Sequence, residues 1–136
     1  MDKALMEDLK DSLSLAINAR RSAYANCSKY KVGAVLATRN GKKYTGCNIE
    51  NSGIQAICAE RTAFCKAISE GERYFKYILV VGAYEDATEL DKCLPCGYCR
   101  QFMNDFVDED FKIYAMNGEK IEEYTLKELL PHAFKL

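Results

Sequence analysis

The chain predicts an α/β protein of three layers, a mixed sheet of about five strands covered by helices on both faces. Three observations carry this. Segments of helical periodicity alternate with short apolar runs in the order α-β-β-α-β-α-β-(β)-α. Asn40-Gly41 is a strong hairpin signal between two strand-like runs. Tyr77 to Tyr84 is a continuous apolar run of the kind that forms a buried strand. No repeat, low-complexity tract or linker interrupts residues 1–136, so one domain with a proper core is expected.

Residues 4–23 read as the first helix, with Leu5, Leu9, Leu13, Ala16, Ile17 and Ala19 at helical spacing. Lys31 to Thr38 reads as a strand, Asn40-Gly41 as a two-residue turn, and Lys42 to Cys47 as the returning strand. Residues 46–57 read as a loop holding the polar groups Asn48, Glu50, Asn51 and Gln55. A second helix runs from about Cys58 to Glu70, where Gly71 stops it. After the Tyr77 to Tyr84 strand comes a polar connection, Glu85 to Leu94. A third helix starts near Pro95-Cys96 and ends near Val107, with Phe102, Met103 and Phe106 on one face. Phe111 to Met116 is a further strand, and Asn117-Gly118 a turn. Thr125 to Glu128 is a capping box opening a short last helix, ended by Pro131.

Composition narrows the function. Apolar residues make up 49% and charged residues 29%, ordinary for a globular fold. The net charge of -1 gives no basic footprint for nucleic acid. No apolar run reaches membrane-spanning length, and the first residues carry acids where a signal peptide needs a basic start. The expectation is a cytoplasmic protein. There a reducing compartment makes the 7 cysteines metal ligands, reactive groups or small buried residues rather than disulfides.

Two segments carry the chemistry: Cys58-Ala59-Glu60-Arg61 and Pro95-Cys96-Gly97-Tyr98-Cys99. They supply three soft thiolate ligands, which suit zinc, and a carboxylate not needed as a ligand. Three protein ligands leave the fourth tetrahedral position open, the mark of a catalytic zinc. Glu60, two residues from a ligand, stands where a proton shuttle would sit. The cysteines fall at predicted helix starts, where free N–H groups and the partial positive charge favour thiolate. Zinc with three thiolates still carries a formal charge of about -1, which weakens it as a Lewis acid. Arg61, donating to the sulfurs, is expected to offset that charge. A closed structural site is the alternative, because Cys93-Leu94-Pro95-Cys96 offers a second C-x-x-C pair and Cys93 could be a fourth ligand. Pro95 pinning the backbone before Cys96, and the place of Cys93 outside the helix start, weigh against it. Cys27, Cys47 and Cys65 read as bystanders, and a redox C-x-x-C leaves a third thiol without a use.

These segments resemble the small homotetrameric cytidine deaminases of nucleoside salvage, within the wider zinc deaminase superfamily. The likeness extends, in order, through Tyr30-Lys31-Val32-Gly33-Ala34, Gly46-Cys47-Asn48-Ile49-Glu50-Asn51 and Leu129-Leu130-Pro131-His132-Ala133-Phe134. It covers about residues 15–134. The resemblance implies zinc held by Cys58, Cys96 and Cys99, one ion per subunit, and hydrolytic deamination of cytidine and 2′-deoxycytidine. Glu60 would take a proton from water and pass it to N3 and then to the leaving amine. The Ala59 N–H would hold the pyrimidine carbonyl, and the Leu94 carbonyl would accept from the exocyclic amine. Asn48 and Glu50 resemble the family's ribose-binding pair, and an amide with a carboxylate suits sugar hydroxyls. A loop bonding its own backbone is the plainer reading of that pair. Tyr30 stands where the family often has Phe, lining the base pocket. Phe134 resembles an aromatic that crosses into a neighbouring subunit's site in a tetramer; in an isolated chain it would read as a C-terminal core anchor. His132 is expected at the surface or an interface.

Two departures stand out. Residues 52–57 are about one residue shorter than the common family version and lack its aromatic. The connection from Tyr84 to Leu94 is longer and brings Glu85, Asp86, Glu89 and Asp91 towards the mouth of the site, or into a solvated loop. Another aminopyrimidine nucleoside or antibiotic, a zinc-stabilised binding module without chemistry, and nucleic-acid editing are the competing functions. The charge argues against the last.

Overall fold

The computed structural model describes residues 1–136. Asp2 opens the first helix, α1 (Lys3–Arg20), by accepting from the Leu5 N–H at 2.7 Å. The helix is shorter than its periodicity predicts. The Arg20 guanidinium bonds the carbonyls of Lys31, Ala83 and Tyr84 at 2.7–2.9 Å, anchoring the helix end to the strands beyond. The chain then turns so that Tyr24 bridges Ile49.

β1 (Tyr30–Thr38) and β2 (Lys43–Cys47) form the expected antiparallel pair. Their connection is wider than the predicted two-residue turn. The Thr38 N–H bonds the Lys42 carbonyl, and the Thr38 hydroxyl bonds the Asn40 side chain. Gly41 alone has positive φ, +90°, whereas a type I′ turn needs two such residues.

α2 (Ala59–Ser69) ends before Gly71, whose φ is +97°. β3 (Phe75–Tyr84) runs through the centre of the molecule, and α3 (Gly97–Met103) follows its loop. α3 stops four residues short of the expected end at Val107, and Phe106 lies in the turns beyond it. β4 (Lys112–Asn117) and β5 (Lys120–Thr125) pair around Gly118-Glu119, one residue later than the predicted turn. The capping box at Thr125 and Glu128 is formed on both sides and opens α4 (Leu126–Leu129).

The sheet order is β2-β1-β3-β4-β5. β3 and β4 are parallel and the other neighbours antiparallel, so the sheet is mixed as predicted. Alternate residues of β1 and β3 fill two cores. Val35, Ala37, Tyr77, Leu79 and Val81 pack against Leu9 and Ala16 of α1. Ala34, Leu36, Ile78 and Val80 pack against α2 and α3 through Ala63, Phe64, Cys99 and Met103. Phe64 is fully buried, with its ring 5.2 Å from Phe75 and 6.2 Å from Phe111. Gly46 of β2 lets α2 sit close. A Cβ there would run into the Ala59 carbonyl oxygen and lie 2.7 Å from the Ala63 nitrogen. The sheet thus fixes where α2 begins, and the site is built on that beginning.

Candidate metal centre

Cys58 is the N-cap of α2 and Cys96 the N-cap of α3, both with extended backbone. Neither side chain bonds its own helix, as a Ser or Asp cap would. The thiols turn towards each other instead. Cys99 joins them from the first turn of α3, fully buried. The three Sγ atoms lie within 4.8 Å of one another, with Cys58 and Cys96 separated by 3.8 Å. A tetrahedral zinc with Zn–S bonds of about 2.3 Å places its sulfurs about 3.8 Å apart. The sulfurs therefore fit the ion.

The electrostatics fit as well. A hydrogen bond with Cys99 is the main cause that lowers the Cys58 thiol to about 5, with further help from Arg61 and Cys96. The same bond to Cys58, with burial, raises Cys99. Packed this tightly, the sulfurs keep a proton between them unless a cation is present to hold them all as thiolates.

Glu60 follows Cys58 in the first turn of α2 and is only 4% exposed. Burial raises its carboxyl to about 7, with the Cys58 charge adding to the rise and Arg61 opposing it. No ion pair neutralises it. The Arg61 Nη2 donates to the Cys58 sulfur at 3.6 Å, as expected from the charge argument. Burial works against the Arg61 charge, but the neighbouring Cys99 and Cys58 sulfurs outweigh this and raise its pKa.

Cys93 lies outside the three-sulfur cluster. It packs on β3 at Gly82, where a Cβ would meet the Cys93 Sγ at 2.7 Å and the Tyr30 ring at 3.1 Å. Burial pushes its thiol up to about 12, keeping it protonated. The geometry gives a closed four-cysteine site no support.

Ala59 is fully buried as the first residue of α2, so its N–H has no carbonyl of its own helix to bond. Leu94 is half-buried just before Pro95. The Pro95 carbonyl is fixed by Arg100 Nε at 2.7 Å. Tyr30 opens β1 with its ring edge-on to Tyr84, centroids 5.0 Å apart. Burial raises its hydroxyl, helped by Cys93 and Asp91.

Asn48 and Glu50 are engaged by the protein's own backbone. Asn48 bridges β1, accepting from the Val32 N–H at 2.9 Å and donating to the Tyr30 carbonyl at 2.8 Å. Glu50 accepts from the Cys27 and Ser28 N–H groups at 2.9 and 3.0 Å and from the Ser28 hydroxyl at 2.5 Å. Phe134 is not a core anchor. It is 65% exposed, held by its backbone to Gln101, and lines a shallow cavity of about 390 Å³ with Tyr98, Phe102 and Phe106. His132 is exposed, and Glu85, Asp86, Glu89 and Asp91 lie on an exposed connection.

Sequence reasoning missed three supporting residues. Arg100 fixes the Pro95 carbonyl, Ser28 holds Glu50, and the Tyr98 ring covers Arg61 with its centroid 4.1 Å from the guanidinium carbon. Arg100 sits beside Cys99 and was within reach of the motif. The other two contacts are long-range and have no local signal.

Residues 6–115 match the model of the cytidine and deoxycytidylate deaminase zinc-binding region. The chain is 43% identical over 129 residues to a cytidine deaminase of Sporosarcina psychrophila, covering 93% of this chain and 91% of that protein. It is 34% identical to a blasticidin-S deaminase of Bacillus cereus, with 76% of each covered. The crystal structure of a cytidine deaminase from Burkholderia pseudomallei superimposes with a TM-score of 0.81 at 36% identity, covering 92% of this chain and 98% of that one. The fold, the three-sulfur cluster and the matched region agree: the chain belongs to the cytidine and deoxycytidylate deaminase family.

Proposed function

We propose that this protein deaminates cytidine and 2′-deoxycytidine hydrolytically, releasing ammonia, with zinc held by Cys58, Cys96 and Cys99. The observation that carries the reading is a buried carboxylate beside three converging sulfurs, on a chain whose family is a zinc-dependent deaminase. Bound there, zinc would supply a Lewis acid that lowers the pKa of water, with Arg61 offsetting part of the thiolate charge that weakens it. Everything else comes from the chain. Glu60 takes one proton from the attacking water and delivers it to ring N3, then takes the second from the new C4 hydroxyl and delivers it to the amine, which leaves as ammonia while the C4 carbonyl forms. A carboxyl whose pKa is raised by burial suits this work, because it both accepts and returns a proton. The Ala59 N–H faces the pyrimidine carbonyl, and the Leu94 carbonyl accepts from the exocyclic amine. Tyr30 lines the base pocket. Asn48 keeps one donor and one lone pair for the ribose, and Glu50 is partly exposed beside it.

A nucleoside rather than nucleic acid is the substrate, in keeping with the net charge of -1. We place the reaction in pyrimidine salvage in the cytoplasm, where 7 unpaired cysteines stay reduced. No helix is long and apolar enough to cross a membrane. A homotetramer is supported by the exposed aromatics Tyr98, Phe106 and Phe134 around one shallow cavity, with Phe134 reaching a neighbouring site.

The test is direct: cytidine and deoxycytidine are added to protein of measured zinc content, and loss of ultraviolet absorbance is followed. Zinc-replete protein inert towards both would overturn the proposal. An aminopyrimidine antibiotic is the second reading, favoured by the blasticidin-S deaminase relative and by a Glu50 already occupied by Ser28 and Cys27. Turnover of blasticidin S without turnover of cytidine would select it.

A further inference from the structure

We propose that Tyr98 is a positioning residue for the metal centre, its ring face holding the Arg61 guanidinium against the ligand sulfurs. This rests on the reading of Cys58, Cys96 and Cys99 as zinc ligands. Arg61 is a long side chain with little to fix it. Its Nη2 makes one bond to sulfur, at 3.6 Å, and its Nε is buried with no partner. None of the ion pairs in the molecule includes it. What covers it is Tyr98, with the ring centroid 4.1 Å from the guanidinium carbon.

The choice of an aromatic has a physical consequence. A carboxylate in that position would fix Arg61 equally well, but would cancel its charge and compete for its donors. A ring face attracts the cation through its quadrupole while taking no N–H, so the donors stay available to the thiolates. Tyr98 also joins two elements. It lies between Cys96 and Cys99 in the first turn of α3, whereas Arg61 lies in the first turn of α2. The stack therefore ties together the two helix starts that carry the sulfurs. Tyr98 is 68% exposed, so its position is not explained by core packing.

The experiment compares Tyr98→Leu, Tyr98→Phe, Arg61→Gln and the double variant Tyr98→Leu/Arg61→Gln. Each is loaded with zinc, and transfer of the metal to an excess of a colorimetric chelator is timed. Cobalt-loaded samples supply the sulfur-to-metal charge-transfer band as a second readout. An exposed cation–π contact predicts that Tyr98→Leu releases zinc about 2- to 5-fold faster and shifts the band. Tyr98→Phe, which keeps the ring face, should behave as the natural protein. In the Arg61→Gln background Tyr98→Leu should have no further effect. Should Tyr98→Leu not fold, Tyr98→Met serves the same comparison. The inference is overturned if the leucine variant releases zinc at the natural rate, if phenylalanine fails to restore it, or if the effect persists without Arg61. A natural protein that binds no zinc and leaves cytidine unchanged overturns the functional reading and this inference together. Zinc-loaded, active protein without coupling between Tyr98 and Arg61 overturns this inference alone.

Discussion

At the scale of single residues, the site depends on what surrounds each group. Glu60 is one carboxylate among many in the sequence, but α2 buries it beside Cys58 and lifts it to about 7. Glu60→Gln keeps nearly the same volume and removes only the titrating oxygen. It should retain full zinc content by metal analysis and lose about 10²–10⁴-fold in turnover of cytidine. Loss of zinc instead would make Glu60 a ligand. Cys93 tests the opposite point. It is as near Cys96 in sequence as Cys99 is, yet it packs against Gly82 and Tyr30, outside the three-sulfur cluster. Cys93→Ser should leave the zinc stoichiometry at the natural level. The ligand motif was readable, because two helix starts with spaced cysteines are a local pattern. Which of two overlapping C-x-x-C pairs supplies ligands was not, since Cys93 is turned away by a contact with β3.

The elements set the distances between these residues. α2 can begin where it does because Gly46 has no side chain. Gly46→Ala would push the Ala59 end of the helix off the sheet. It should destabilise the protein by about 1–3 kcal/mol in denaturant titration and lower zinc occupancy. A variant of natural stability and occupancy would show that the helix start tolerates displacement. Periodicity, turn and capping signals located every helix and the first four strands, with β5 expected only in the order of elements, but the ends moved. α1 stops at Arg20 because that side chain reaches three carbonyls on β1 and β3. α3 ends early, leaving Phe106 in the turns that follow it. Helix ends answer to tertiary contacts, and periodicity does not contain those.

For the whole molecule, α1 is held to the sheet partly by a polar network on the face remote from the sulfurs. Tyr77 is buried, and its hydroxyl donates to Asp8 and pairs with Ser12, both at 2.6 Å. Lys43 of β2 pairs with Asp8 at 2.8 Å. Burial opposes the Asp8 charge, but the bonds from Lys43 and Tyr77 outweigh it and hold the carboxyl below its usual 3.8. A carboxyl depressed in the folded state stabilises above its unfolded pKa, because the unfolded chain binds the proton first. Asp8→Asn should therefore unfold more readily than the natural protein above pH 3.8, and the difference should narrow as the pH falls below that value. Thermal unfolding followed across that range checks it; a difference independent of pH would remove the carboxylate's charge from the account. At the same scale, light scattering should give a tetramer at micromolar protein, and a monomer would overturn the shared-site role of Phe134. Phe134 itself shows the limit of reading one chain. Its place near the C-terminus beside apolar residues suited a core anchor, whereas the fold leaves it on the surface of α3.

The sequence by itself determined the α/β layering, the mixed sheet and the two cysteine-bearing motifs, with Glu60 in the first of them. Each of these is carried by periodicity or by spacing within a few residues. Only the tertiary structure decided that Cys93 lies outside the cluster, that Asn48 and Glu50 already bond the backbone, and that Tyr98 covers Arg61. Those contacts join residues from separate elements. They arise from how the helices settle on the sheet, where packing, rather than local pattern, sets which side chains meet.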